Sequence, residues 1–204
     1  MEEIGLFPLG IVLLPGERVP LHIFEERYKE LIGECVSQDR EFGLVLADDR
    51  GVRTIGTRAA VLEVLQRFAD GRMNIVVEGH DRFSIVRPTE GRSFQTAETE
   101  PVADEPGGEP DPQQVEACLE AVQEVADLAG GEIPDVDPAD PELAFHIAGH
   151  IEFEAAAKQE LLEMRAERDR LERLIELLDD AAETLRLQKA ARERASGNGQ
   201  VESL

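Results

Sequence analysis

Short apolar runs recur through the first hundred residues: IGLF, IVLLP, VPLHIF, FGLVLA, AAVLEVLQRF, MNIVV and FSIV. They are β-branched and aromatic, and turn signals separate them, which predicts short strands from residue 4 to about 102. ADDRG at 47–51 and ADGR at 69–72 read as turns, and Asp70-Gly71 between two runs is the strongest hairpin signal in the chain. Gly79 lies inside the strand-like stretch VEGHDRF and predicts a bulge or a close backbone approach. Many short strands at this spacing predict a small barrel or a curled sheet.

One helix interrupts this β region. Tyr28, Leu31, Ile32, Cys35 and Val36 recur at steps of three and four, which predicts a helix over about 25–37. Residues 103–112, ADEPGGEPDP, then read as a linker: prolines and glycines forbid regular structure and the acids keep it solvated. Val115, Cys118, Leu119, Val122, Val125, Ala126 and Ala129 form the stripe of a helix over 113–129, ended by Gly130-Gly131. Short helices are expected at about 141–152 and 155–164 and a long one at about 166–194. Leu171, Leu178 and Leu185 recur every seven residues, as do Leu174 and Ala181; over so few heptads, packing inside a helical bundle is the expected use. The expected division is a β subdomain at 1–102, a linker at 103–112, a helical subdomain at 113–195 and a disordered tail at 196–204.

Composition and charge narrow the function. The chain has 204 residues and 42% hydrophobic content, enough for a core. No apolar run approaches the roughly 20 residues of a spanning helix. The acidic start, MEEIGLFPLG, lacks the basic opening of a secretion signal, so a cytoplasmic protein is expected, with Cys35 and Cys118 as free thiols. The net charge is −23, and residues 101–160 hold one base, Lys158, among 16 acids. Such a chain repels phosphate backbones and anionic lipid, so neither nucleic acid nor membrane is an expected partner.

The catalytic inventory is bare. No Walker A sequence, no G-x-S-x-G, no G-x-G-x-x-G and no C-x-x-C occurs. His146 and His150 stand four apart on an expected helix, the spacing of a zinc pair, with Glu142 or Glu154 as a third ligand. The zinc-protease pattern needs a glutamate where Ile147 stands, so these are weak metal candidates, and no cofactor is expected. His22, Glu25 and Glu26 gather at a strand-to-helix corner with no nucleophile nearby in sequence. There the acids complement the helix dipole and Arg27 is placed to pair with a carboxylate.

The order of these features resembles the N-terminal, substrate-binding domain of the Lon protease family. The match is carried by Pro8-Leu9, Pro15-Gly16, P-L-x-I-F-E-x-R-Y at 20–28 (Pro20, Phe24, Glu25, Arg27, Tyr28) and F-G ending at Gly43. It continues with I-G-T around Gly56, the D-G-R hairpin at Gly71, V-E-G-x-x-R-F (Gly79, Arg82, Phe83), and KQELLEMRAERDRLERLIELL at 158–178. The resemblance implies an α+β fold: a six-stranded, PUA-like β pseudo-barrel with one inserted helix, followed by a helical bundle ending in a long helix. It makes the corner at 20–28 a structural signature. The ATPase and serine–lysine peptidase modules of full-length Lon proteases do not occur in these residues, so a stand-alone, non-enzymatic module that binds unfolded or extended polypeptides is expected. The apolar run between Pro8 and Pro15 supplies the candidate contacts Leu9, Ile11, Leu13 and Leu14, because consecutive apolar residues in a strand cannot all face one core. An acidic scaffold or regulator of a protein complex is the alternative, and a zinc-dependent hydrolase the remote one. Oligomeric state is left open.

Overall fold

The structure, a computed structural model, describes residues 2–133 and 135–197. It is α+β, with seven strands and five helices among the described residues. In chain order these are β1 (Glu2–Leu9), β2 (Arg18–Ile23), α1 (Glu26–Gln38), β3 (Phe42–Asp48), β4 (Gly51–Val52), β5 (Ile55–Arg67), β6 (Met73–Thr89) and β7 (Thr96–Pro101). The helices α2 (Pro112–Ala129), α3 (Leu143–Gly149), α4 (Ala155–Glu163) and α5 (Glu167–Gly197) follow. Residues 198–204 of the expected tail lie outside the described residues; α5 runs through 196 and 197.

The expected six-stranded pseudo-barrel gives way to a seven-stranded sheet that curls without forming a clean barrel. Its pairings run β1-β7-β6-β5-β3 and return to β1 through one parallel contact, Leu6–Leu9 against Gly43–Leu46. The 17-residue strand β6 explains the departure. Its first half is held between β2 and β5 and its second half pairs with β7, with β5 reaching only to Ser84, so one edge carries two partners in succession. The hairpin expected at Asp70-Gly71 joins β5 to β6, with Gly71 at φ +83°.

Glycines permit the closest contacts. A Cβ on Gly79 would lie 2.2 Å from the Leu14 carbonyl oxygen, and one on Gly43 2.6 Å from the Phe83 ring. Backbone bonds from Gly16 N–H to the Gly79 carbonyl (2.8 Å) and from Gly79 N–H to the Glu17 carbonyl (2.9 Å) tie the β1–β2 loop to β6. Thus Gly79 marks a close backbone approach, and the register shift between Thr57 and Ala59 lies opposite it on β5.

The sheet interior packs Phe7, Leu13, Ile23, Phe42, Leu44, Ile75 and Val77 against Tyr28, Leu31, Ile32 and Cys35 of α1. Val36, on the same expected stripe, is exposed because it lies at the stripe's edge. Asp111 caps α2 by accepting from Gln114 N–H at 2.9 Å, Pro112 occupies its first turn and Gly130 ends it. Leu171, Leu174 and Leu178 of α5 are fully buried among α2, α3 and α4 and so serve the bundle, while Ala181 and Leu185 of the same expected series are only half-buried.

The bundle and the sheet share that core. Val12, Leu14 and Leu46 of the β region belong to the same buried cluster as Phe145, Ile147, Leu161 and Leu171. Most of the segment 103–112 is exposed, with Gly108 buried, and one of its acids is tied to both halves. Asp104 binds both Arg82 of β6 and Arg170 of α5, the latter with one oxygen at 2.8 Å. Both guanidiniums stack on the Phe145 ring, at 5.2 and 4.4 Å from its centre. Two arginines leaving water need a carboxylate, and this requirement fixes the acid that composition alone assigns to solvent.

Candidate functional site

Strand β5 outgrows β3, its neighbour on one side. Strand β3 pairs only with Thr57–Ala59, while β6 continues along β5 to Arg67. Among the described residues, no strand covers the second edge of residues 60–67. Their backbone N–H and C=O groups on that side therefore retain hydrogen-bonding capacity, as on any free sheet edge.

The edge is irregular in a useful way. Register shifts fall between Val61 and Glu63 and between Val64 and Gln66, which leaves Leu62 and Leu65 as the extra residues of two bulges. Val61 and Val64, opposite Val77 and Ile75, pack against the sheet interior. Leu62 and Leu65 are displaced from that alternation and are 50% and 54% exposed. Alongside runs a groove of about 790 Å³, bordered by β5, by Leu31, Cys35 and Val36 of α1, and by the start of β1. Part of its charge is matched: Arg58 pairs with Glu2 at 2.8 Å, His80 with Glu41 at 2.6 Å, and Arg92 with Glu34, while Glu3, Asp39, Arg40 and Glu63 take part in no ion pair among the described residues. Leu62 lines this groove, and Leu65 continues the exposed apolar edge beyond it.

The four apolar candidates between Pro8 and Pro15 are divided differently. Leu13 is buried in the sheet interior and Leu14 in the bundle core, because this segment is a loop whose alternate side chains enter two cores. Neither meets solvent. Leu9 is half-buried and Ile11 is 39% exposed.

His146 and His150 are not brought together as ligands. Helix α3 is shorter than the spacing predicts and ends at Gly149, so His150 is its C-cap and bonds the His146 carbonyl through Nδ1 at 2.7 Å. His146 Nδ1 faces Asp140 at 2.7 Å. Among the described residues no group of three or more His, Cys, Asp or Glu side chains is arranged to hold a metal. Burial pushes the Cys118 thiol up to about 12 and the Cys35 thiol to about 11, so both stay protonated and unreactive.

The remaining signature residues make local contacts within the fold. His22 Nδ1 meets Asn74 Oδ1 at 2.6 Å and its ring stacks on Phe24. Arg27 donates to Glu25 at 2.9 Å and lies over the Tyr28 ring, which packs on Phe7. Pro8 sits in the parallel β1–β3 pairing, Pro20 on β2, Pro15 in the buried loop, and Gly56 under the Leu44 carbonyl. The β5 bulges were beyond sequence reading: Leu62 and Leu65 continue an apolar run, and only the partner's register makes them extra.

The comparisons agree with this architecture. The chain is 28% identical over 212 residues to a Lon protease of Paraburkholderia phytofirmans, covering 96% of this chain and 26% of that protein. It is also 28% identical over 213 residues to the Lon protease of Escherichia coli, covering 94% and 26%. The chain thus spans about a quarter of the length of these relatives. Among solved structures, the N-terminal domain of Mycobacterium avium complex Lon protease superposes with a TM-score of 0.68 at 21% identity, covering 88% of this chain and 99% of that one. A Lon N-terminal domain protein from Xanthomonas campestris gives 0.63 at 24%, covering 86% and 98%. The family described as the ATP-dependent protease La (LON) substrate-binding domain matches residues 3–180. This chain belongs to that family, and the match is to the N-terminal substrate-binding domain alone, without the ATPase and protease modules.

Proposed function

We propose that the protein recognises unfolded or extended polypeptide, independently of ATP and without catalysing a reaction, as a cytoplasmic module of protein quality control. The observation that carries this reading is the uncovered edge of Ala60–Arg67, where Leu62 and Leu65 stand exposed beside a groove. An extended peptide adds to such an edge through its main chain, which is independent of sequence, and selects apolar side chains through the leucines and the groove. Family membership in a substrate-binding domain supports the same reading.

The test is binding of a fluorescent, permanently unfolded polypeptide to the full chain, followed by anisotropy. Leu62→Glu and Leu65→Glu, both at exposed positions, are expected to weaken binding about tenfold or more while leaving the melting temperature close to wild type. Wild-type affinity in either variant, or no binding by the wild type, overturns the proposal.

A further inference from the structure

We propose that the helical half carries a second binding site, a groove beside α2 that takes a basic, apolar polypeptide segment of a partner protein. The groove encloses about 980 Å³. Its floor is Val115 and Leu119 of α2, both half-buried, and its far wall is Pro138–Pro141. Pro110 and Pro112 close one end. Proline fixes the backbone φ, so these walls are preformed and a ligand need not order them.

Charge selects the occupant. The residues lining this groove include Glu109, Glu116, Glu120 and Asp140, and none is basic. Asp140 is engaged by His146 and by Glu142 N–H. Glu109, Glu116 and Glu120 take part in no ion pair among the described residues. The groove beside β5 differs in that it holds bases as well, and Arg58, His80 and Arg92 pair with its Glu2, Glu41 and Glu34. Glu116 and Glu120 stand one and two turns beyond the α2 N-terminus, so the positive helix end does not neutralise them. Unmatched carboxylates around an apolar floor favour lysine or arginine interspersed with leucine-like side chains, and repel acidic segments. Long cationic side chains fit this geometry because their methylene stems cover the apolar floor while their charges reach the rim.

The experiment uses the full chain and three synthetic peptides of one length: leucine alternating with arginine, with glutamine, and with glutamate. The arginine peptide is expected to bind at least about tenfold more tightly than the glutamate peptide at low salt, with the difference shrinking as salt rises. The double variant E116K/E120K is expected to reverse that order. In ¹⁵N spectra of the wild type, the arginine peptide is expected to shift resonances of 109–123 and 138–141, a readout that does not depend on any variant folding. Equal affinity for the three peptides overturns the proposal. So do shifts confined to residues 60–67, which would assign the arginine peptide to the β5 edge. Self-association of the wild type that K189E/R192E abolishes overturns it too, because the occupant would then be the basic end of α5 from a second copy.

Discussion

Lys158 of α4 and Glu17 of the β1–β2 loop form an ion pair of 2.6 Å, with side chains only 11% and 7% exposed. They are 141 residues apart in the chain. The second Glu17 oxygen accepts Leu14 N–H at 2.9 Å, so the carboxylate holds the loop in shape while the ammonium anchors it to the bundle. Lys158→Met leaves a buried carboxylate without its cation and is expected to cost about 3–5 kcal/mol. Adding Glu17→Gln removes the stranded charge and is expected to return most of that loss. Urea denaturation of the single and double variants checks this; a single variant as stable as wild type contradicts it.

The pH dependence of stability is expected to have two parts of opposite sign. Burial pushes Glu167 up to about 6 from its ordinary 4.5, against the opposing effects of Ala144 N–H and Arg170. The folded state therefore holds this proton more tightly than the unfolded chain, and the group's contribution, full below pH 4.5, is lost as pH rises through about 6. Burial also works to raise Asp104, but the hydrogen bonds and charges of Arg170 and Arg82 outweigh it and hold the carboxyl below its ordinary 3.8. Its contribution is present above 3.8 and is lost as pH falls through the lower folded value. Denaturation midpoints measured against pH should lose the first slope in Glu167→Gln and the acid-side fall in Asp104→Asn.

Two glycines should respond differently to alanine. The Cβ of Gly79→Ala would meet the Leu14 carbonyl oxygen at 2.2 Å, a backbone atom held by the loop's own hydrogen bonds. The substitution is expected to cost roughly 2–3 kcal/mol. Gly71 has open space around it, its nearest foreign atom being Lys29 Cδ at 3.5 Å, but its φ is +83°. Gly71→Ala is expected to cost only about 1 kcal/mol. Chemical denaturation of both variants gives the comparison, and equal losses would refute the steric account.

Residues 1–102 and 113–204, expressed apart, are not expected to melt as independent units. The division would strip Val12, Leu14 and Leu46 of their helical partners, and Arg82 and Arg170 of Asp104, which lies between the fragments. Burying each such aliphatic side chain is worth roughly 1.5–3 kcal/mol against a total stability of about 5–15 kcal/mol. Thermal melting of both fragments beside the whole chain tests this. Two cooperative transitions within a few degrees of the intact protein would show the halves to be separate.

Much of the architecture was legible in sequence because it rests on local periodicity. Apolar runs mark the strands, the steps of three and four from Tyr28 to Cys35 mark α1, and the stripe from Val115 to Ala129 with Gly130 after it marks α2. Gly79 was legible as a bulge or close approach, although not what it approaches, and Gly71 as a hairpin turn.

The candidate site was not legible. Leu13 and Leu14 look like surplus apolar surface until two cores stand on either side of their loop. Leu62 and Leu65 look like strand interior until the register of β6 turns them into bulges on an uncovered edge. Sequence by itself determined which residues must leave water and in what local geometry, since periodicity acts over a few residues. Tertiary structure alone decided which core received each side chain, which edge stayed open and which acids found arginines. Those outcomes depend on partners as distant as the 66 residues between Asp104 and Arg170, beyond the reach of any local pattern.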